Sequence, residues 1–280
     1  MLTKTQIKEL AKRHGFYLKK SLGQNFLIDR NIRDKIMRLS GLGGDDIVLE
    51  IGPGLGALTE PLAGRCRRVY AVEKDKKIYS LSKEILSGYK NLDIIHGDFL
   101  KFDISALGGG ISAVGALPYY ITSPIIQHLF SHKKSLKEIL IIVQKEVARR
   151  LTAKENSRDY SSLSLFVQFY SGIDTLMDIK RTAFFPVPDV DSALLRLGIL
   201  PRPKAEVKDE GTLFKVIRAS FGQRRKTILS SLSHKEILGL KKDEIAHILK
   251  SLGIDDKIRA EVLSLEEFAN IADAIIDFSS

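Results

Sequence analysis

Asp46-Ile-Val-Leu-Glu-Ile-Gly-Pro-Gly-Leu-Gly56, followed at once by Ala57-Leu-Thr-Glu-Pro-Leu-Ala63, decides how the chain reads. An apolar β-branched run that breaks on glycines and passes into a helical pattern is the strand, turn and helix of an α/β layer. The alternation continues downstream. RRVYAVE (67–73), LDIIHGDF (92–99), ISAVGALP (111–118) and EILIIVQ (138–144) are strand-like, with helical stretches such as KKIYSLSKEIL (76–86) between them. That order predicts a parallel sheet covered by helices. Two later runs, SLFVQFY (164–170) and SALLRLGI (192–199), are expected as strands that close the sheet as an antiparallel edge. LPRPKAEVKDEG (200–211) reads as a linker, and the chain beyond Thr212 has helical periodicity with no strand candidate. The expected division is an α/β domain over 1–200 and a small all-helical domain over 201–280.

The 280 residues suit one large domain and one smaller one. No apolar run approaches the ~18 residues of a membrane span, and the opening MLTKTQIKELAKRHG lacks the apolar core of a signal peptide. Cys66, the one cysteine, has no partner for an internal disulfide, and a cytoplasmic protein is expected. Basic side chains exceed acidic ones by ten, 44 against 34. The excess sits at the front: residues 1–38 carry ten basic and three acidic side chains, against fourteen and thirteen in 199–280. A basic arm beside the α/β half suits a polyanion such as RNA, through counterion release, although a solvated basic face has the same composition.

Glycines at 52, 54 and 56, at the end of the first apolar strand, let a ligand approach the backbone. Glu73 ends the next strand, 21 residues after Gly52, where a carboxylate accepts hydrogen bonds from a ribose diol. The spacing G-x-G-x-G, with Ala57 following, departs from the dinucleotide fingerprint and favours an adenosyl cofactor over a pyrophosphate. At the third strand end Asp98 can accept from an adenine amino group, and Phe99 can pack on the same ring. Ligands of open α/β sheets collect at successive strand ends, which joins these three motifs into one candidate site.

The fourth strand end carries Ala116-Leu117-Pro118-Tyr119-Tyr120. It resembles the Asn-Leu/Ile-Pro-Tyr motif of amino-methyltransferases. The wider chain is similar to the ribosomal RNA adenine-N6 dimethyltransferase family of the KsgA and Erm type. Ser21-Leu-Gly-Gln24-Asn25-Phe26-Leu27 resembles that family's N-terminal cofactor motif, Val143-Gln-Lys-Glu-Val-Ala148 its central helix, and Phe184-Phe-Pro186-Val-Pro188 its substrate-side loop. Similarity runs from about Lys19 to Phe268. Phe221-Gly-Gln-Arg224-Arg225-Lys226-Thr227 and Arg259 to Phe268 look like the small-subunit enzyme, KsgA, more than the resistance enzymes.

The resemblance implies a Rossmann-like methyltransferase sheet with a small helical C-terminal domain. It implies S-adenosylmethionine held by Asn25, Leu27, Gly52, Gly54, Glu73, Asp98 and Phe99, with the residue at 116 beside it. Tyr119 and Phe184 would stack a flipped-out adenine. Two acceptors, the motif's asparagine oxygen and the following carbonyl, here that of Leu117, would hold the N6 hydrogens so that the nitrogen lone pair faces the methyl donor. This chain has Ala116 where the pattern has asparagine, so one acceptor is missing and transfer is expected to be slow. The expected function is dimethylation of two adjacent adenines near the 3′ end of small-subunit (16S) ribosomal RNA, by a monomer acting on the immature subunit.

Arg224, Arg225 and Lys226 are candidate RNA contacts, although a basic cluster is as often a solvated face. The histidines are not read as a metal site, and no metal is expected. Cys66, between Arg65 and Arg67, is read as structural. A non-catalytic factor that binds immature small subunits is the leading alternative, supported by Ala116. A nicotinamide-dependent dehydrogenase is the third reading and rests on the strand and helix pattern alone.

Overall fold

A computed structural model of the chain describes residues 1–16, 25–223, 225–234 and 238–279. The strands are β1 (Phe26–Leu27), β2 (Ile47–Ile51), β3 (Arg68–Glu73), β4 (Leu92–His96), β5 (Ile111–Ala116), β6 (Leu136–Gln144), β7 (Ser171–Ile179), β8 (Phe184–Phe185) and β9 (Ser192–Ile199). In the same half lie helices α1 (Lys4–His14), α2 (Arg30–Ser40), α3 (Thr59–Ala63), α4 (Lys76–Ile85) and α5 (Thr122–Ser131). They are followed by α6 (Lys145–Leu151) and α7 (Ser162–Tyr170), then by α8 (Glu210–Gly222), α9 (Ile228–Leu232), α10 (Lys242–Ser251) and α11 (Leu265–Ser279).

Seven strands form one sheet in the order β4-β3-β2-β5-β6-β9-β7. β2 through β6 are mutually parallel, and β9 joins β6 antiparallel over Glu138↔Gly198 to Gln144↔Ser192. The parallel strands are apolar in near-continuous runs because helices cover both faces, and Val48, Leu49, Val69, Ala71, Ile139 and Ile141 have no solvent exposure. The chain winds outward from β2 to β4 and then returns to β5, so the strand order reverses between β2 and β5. A crevice opens at the carboxyl ends of strands at such a reversal. Gly115 lets the two strands approach there: a Cβ at that position would stand 2.8 Å from the Ile51 carbonyl oxygen.

Two expectations need correction. SLFVQFY is helix α7, not a strand. A seven-residue apolar run has no periodicity that separates the two, and Ser161 with Ser164 forms a capping box that starts a helix instead. The strand is the next segment, β7, which lies at the sheet edge and exposes Asp174 and Thr175, so its alternation is faint. The second correction concerns the division of the chain. It forms two compact units, Met1–Ala148 with Gly172–Ile199, and Arg149–Ser171 with Leu200–Ser280. Residues 149–171, expected in the first domain, cluster with the second.

Within the second unit α7 presents aromatics to α8. Phe166 and Phe169 meet the Phe214 ring at 5.1 and 5.4 Å, and the Tyr170 hydroxyl donates to Glu210 at 2.5 Å. From Leu200 onward the described residues form helices and no strand.

Candidate active site

The glycine loop is shaped by its own backbone and by one carboxylate. Gly52 and Gly54 lie at φ 67° and 55°, a region that side chains disfavour. A Cβ on Gly54 would also press on the Phe26 ring at 3.2 Å, whereas one on Gly52 would meet no protein atom within 4 Å. The Glu73 carboxylate accepts from the Gly54 N–H (3.2 Å) and the Asp75 N–H (2.9 Å), which ties the end of β3 to the loop after β2. Asp75 then caps α4 by accepting from Lys77 and Ile78. Burial pushes the Glu73 carboxyl upward, while those two N–H groups oppose the shift.

A cavity of about 430 Å³ opens over these strand ends. Asn25 and Leu27 border it on one side, Gly52, Gly54 and Glu73 on another, and Asp98 with Phe99 on a third. Ala116 and Pro118 complete the wall. Every residue carried over for cofactor contact therefore meets in one cavity. Asp98 accepts from Leu100 N–H (3.1 Å) and pairs with the Lys74 ammonium (2.8 Å), which holds its carboxyl below the ordinary range. Phe99 is buried, with its ring edge-on to His128 at 5.4 Å.

Helix α1 closes one side. Its N-cap is a Thr3/Gln6 capping box, and Ile7, 1% exposed, packs with Phe16, Phe26, Leu55, Ile78 and Leu81. Burial of that one isoleucine contributes about 2 kcal/mol. Leu2 and Ile7 thereby line the cavity.

The substrate-side residues are placed differently. Leu117 is buried and donates its N–H to the Ile142 carbonyl (3.0 Å). Tyr119 is half-buried, its hydroxyl 3.0 Å from Ser192 Oγ, and it does not line the cavity. Phe184, 2% exposed, pairs with Leu27 in the antiparallel β1–β8 ladder and belongs to the core. Its neighbour Phe185 carries the ammonium groups of Lys4 and Lys8 at 5.3 and 5.8 Å from its ring. Arg225 and Lys226 are exposed in a turn after α8, in the second unit, while Arg224 and residues 21–24 of the cofactor motif lie outside the described residues.

Three features escaped the sequence reading. Glu50, at the end of β2, is 2% exposed, and its Oε2 has no hydrogen-bond partner among the described residues although it borders the cavity. Burial pushes its carboxyl up to about 8, and the charge of Glu73 adds to the shift. The acid opening E-x-G-x-G was the available signal. Tyr120, 57% exposed, lines the cavity in place of Tyr119. Third, His128-Leu-Phe-Ser-His132 is an i, i+4 histidine pair on α5 and its C-cap. His128 Nε2 meets the Phe102 carbonyl at 2.9 Å and His132 Nδ1 the His128 carbonyl at 3.0 Å, so both rings serve the local backbone. Among the described residues no three His, Cys, Asp or Glu are grouped to hold a metal. Cys66 is buried and its thiol pushed up to about 11, chiefly by desolvation, which keeps it from being a thiolate. No described helix is long and apolar enough to cross a membrane.

Comparison with known proteins agrees with this geometry. A sequence model described as "Ribosomal RNA adenine dimethylase" matches residues 15–277. The chain is 43% identical to the ribosomal RNA small subunit methyltransferase A of Bacillus mycoides (strain KBAB4), over 98% of this chain and 97% of that protein. Among solved structures it is similar to a dimethyladenosine transferase from Plasmodium falciparum, with a TM-score of 0.74 and 26% identity, covering 88% of this chain and 95% of that one. It is also similar to the 23S rRNA methyltransferase ErmE, with a TM-score of 0.67 and 27% identity, covering 90% and 100%.

Proposed function

The chain belongs to the ribosomal RNA adenine dimethylase family, and from that premise we propose that it acts on two adjacent adenines near the 3′ end of small-subunit ribosomal RNA, with transfer impaired by Ala116. The observation that carries the proposal is that Ala116 and Pro118 border the same cavity as Glu73, Asp98 and Phe99. The motif that holds the base therefore shares a wall with the motifs that hold the methyl donor.

S-adenosylmethionine supplies an electrophilic methyl group. The cavity suits it: Glu73 would accept from a ribose diol and Asp98 from an adenine amino group, and Gly52 leaves open space beside the loop. The Glu50 carboxyl, protonated by burial below about pH 8 and with an oxygen that has no hydrogen-bond partner among the described residues, offers a polar group to the ligand at the cavity wall.

The residues of the chain then act on the base. N6 is a weak nucleophile because its lone pair is delocalised into the ring. Acceptors that hold its two hydrogens favour a tetrahedral nitrogen aimed at the methyl carbon. The Leu117 carbonyl is one such acceptor, and Ala116 offers no second. With the base so held, N6 would take the methyl group from the bound donor's sulfonium, and the proton displaced from nitrogen would pass to water. The base must first be extruded from its helix. Phe184 is buried and must be uncovered to stack on it, whereas Tyr119 is half-buried with its ring oriented by the bond between its hydroxyl and Ser192. By analogy with other sites that lack one preorganised hydrogen-bonding group, the missing acceptor slows transfer on the order of 10² to 10³-fold.

The working form is a monomer in the cytoplasm that docks on the immature small subunit, with Arg224, Arg225 and Lys226 as phosphate contacts. Ala116 also favours a second reading, a non-catalytic factor that binds the subunit during assembly. The test is transfer of labelled methyl groups to unmethylated small subunits by this protein and by its Ala116→Asn variant, each checked for cofactor binding. The proposal expects the asparagine form to be faster by the factor above. Equal activity of the two removes the role assigned to position 116. Absent transfer by both, with cofactor and subunit binding retained, establishes the second reading.

A further inference from the structure

Tyr120 is the exposed aromatic of the cavity wall, and neither the sequence motif nor the family resemblance gives it a role. We infer that Tyr120 is a cofactor-retaining residue, whose ring closes the mouth of the cavity over the adenosine of S-adenosylmethionine. The inference rests on the cofactor reading above and extends it to a side chain outside the matched motif.

Tyr120 follows Pro118 in the single turn of 3₁₀ helix, Tyr119–Ile121, that leaves the end of β5. Lys74 and Asp98 leave the ends of β3 and β4, on the other side of the strand reversal. Tyr120 lines the same cavity as Lys74, Asp98 and Phe99, and the Lys74 ammonium holds Asp98 at 2.8 Å. The side chain therefore borders the cavity from the β5 side, with the adenine-binding residues on the wall of the same cavity. Neither of its chain neighbours brings a ring to that wall. Tyr119 is turned to Ser192, and Ile121 lines the wall without an aromatic face.

The burial pattern agrees. An aromatic ring 57% exposed, beside Phe99 at 6% and Ile125 at 1%, is an apolar surface that a planar ligand covers at little conformational expense. Purine stacked between a buried and an exposed aromatic is held on both faces.

The test compares the unaltered protein with Tyr120→Ala and Tyr120→Phe in calorimetric titrations with S-adenosylmethionine and with S-adenosylhomocysteine, without RNA. Stacking of a base on an aromatic is lost on the order of tenfold when the ring is removed. Tyr120→Ala is expected to weaken both ligands about tenfold, with faster dissociation and an unchanged melting temperature of the free protein. Tyr120→Phe is expected to stay close to the unaltered protein. If the unaltered protein binds both ligands and the alanine form binds them equally well, the inference is overturned while the cofactor reading stands. If the alanine form keeps its cofactor affinity but needs more RNA for half-maximal transfer, in the Ala116→Asn background, the ring serves RNA and the inference is again overturned. Failure of the unaltered protein to bind either ligand removes the cofactor reading itself.

Discussion

Replacing Glu50 by glutamine keeps the shape of a buried side chain and removes its ionisation. In the folded protein the carboxyl titrates at about 8, against 4.5 for an unperturbed glutamate, because burial strips it of water and Glu73 adds a second negative charge. Between those values the folded chain holds a proton that the unfolded chain has released. Stability must therefore fall as pH rises from about 4.5 to about 8, and then level off. Each pH unit inside that window is worth up to about 1.4 kcal/mol, so the step from pH 6 to pH 8 removes roughly 2 to 3 kcal/mol. Glu50→Gln lacks this loss. The assay is urea unfolding of the cofactor-free protein at pH 6, 7 and 8, followed by circular dichroism at the first transition, since two units need not unfold together. The variant should gain on the unaltered protein by roughly 2 kcal/mol between pH 6 and pH 8. Stability curves that run parallel across the range would refute the reasoning, because Glu50 would then be ionised in the folded state. Saturating S-adenosylmethionine brings cationic groups to the same cavity and should shrink the loss in the unaltered protein alone.

Two further outcomes are expected. Gly115→Ala places a methyl group 2.8 Å from the Ile51 carbonyl oxygen, and because backbone must move, unfolding should become easier by about 1 to 3 kcal/mol; an unchanged urea midpoint contradicts the close approach of β2 and β5. Glu73→Gln puts an amide where the Gly54 and Asp75 N–H groups both need an acceptor, and the ribose diol loses its charged partner. S-adenosylmethionine affinity should fall on the order of ten- to a hundredfold in calorimetry, and an affinity within twofold of the unaltered protein speaks against a ribose contact.

The strand ends were the readable part of this sequence. Gly52, Glu73 and Asp98 each close an apolar run, and the parallel sheet that such runs imply brings their carboxyl ends to one crevice without further information. Burial was harder to read. Glu73 closes β3 and Glu50 is the last residue but one of β2, yet the Glu73 carboxylate has two backbone donors and Glu50 has an oxygen with none among the described residues. Only the path of the loop decides that. The choice between Tyr119 and Tyr120 also depends on a single turn of 3₁₀ helix, whose direction no periodicity encodes. Residues 149–171 joined the second unit because Phe166 and Phe169 found Phe214, a long-range contact that composition does not announce.

The β1–β8 ladder gives the substrate-side loop a parity. Leu27↔Phe184 faces one hydrophobic cluster and Phe26↔Phe185 the other, so adjacent residues serve different interiors. A slip of one residue exchanges the two phenylalanines, taking Phe184 from the core beside Leu27 and lifting Phe185 from under Lys4 and Lys8. Any transplant of this loop from a relative with another RNA target must therefore keep the count from Ala183 to Pro186 unchanged. The stretch past the ladder exposes Val187 and Val190 but is held in another way, by the buried Pro188 between them and by the Arg181 guanidinium, which donates to the Asp189 carbonyl at 3.1 Å. An insertion there would part Asp189 from Arg181, so the tip too has a length to keep.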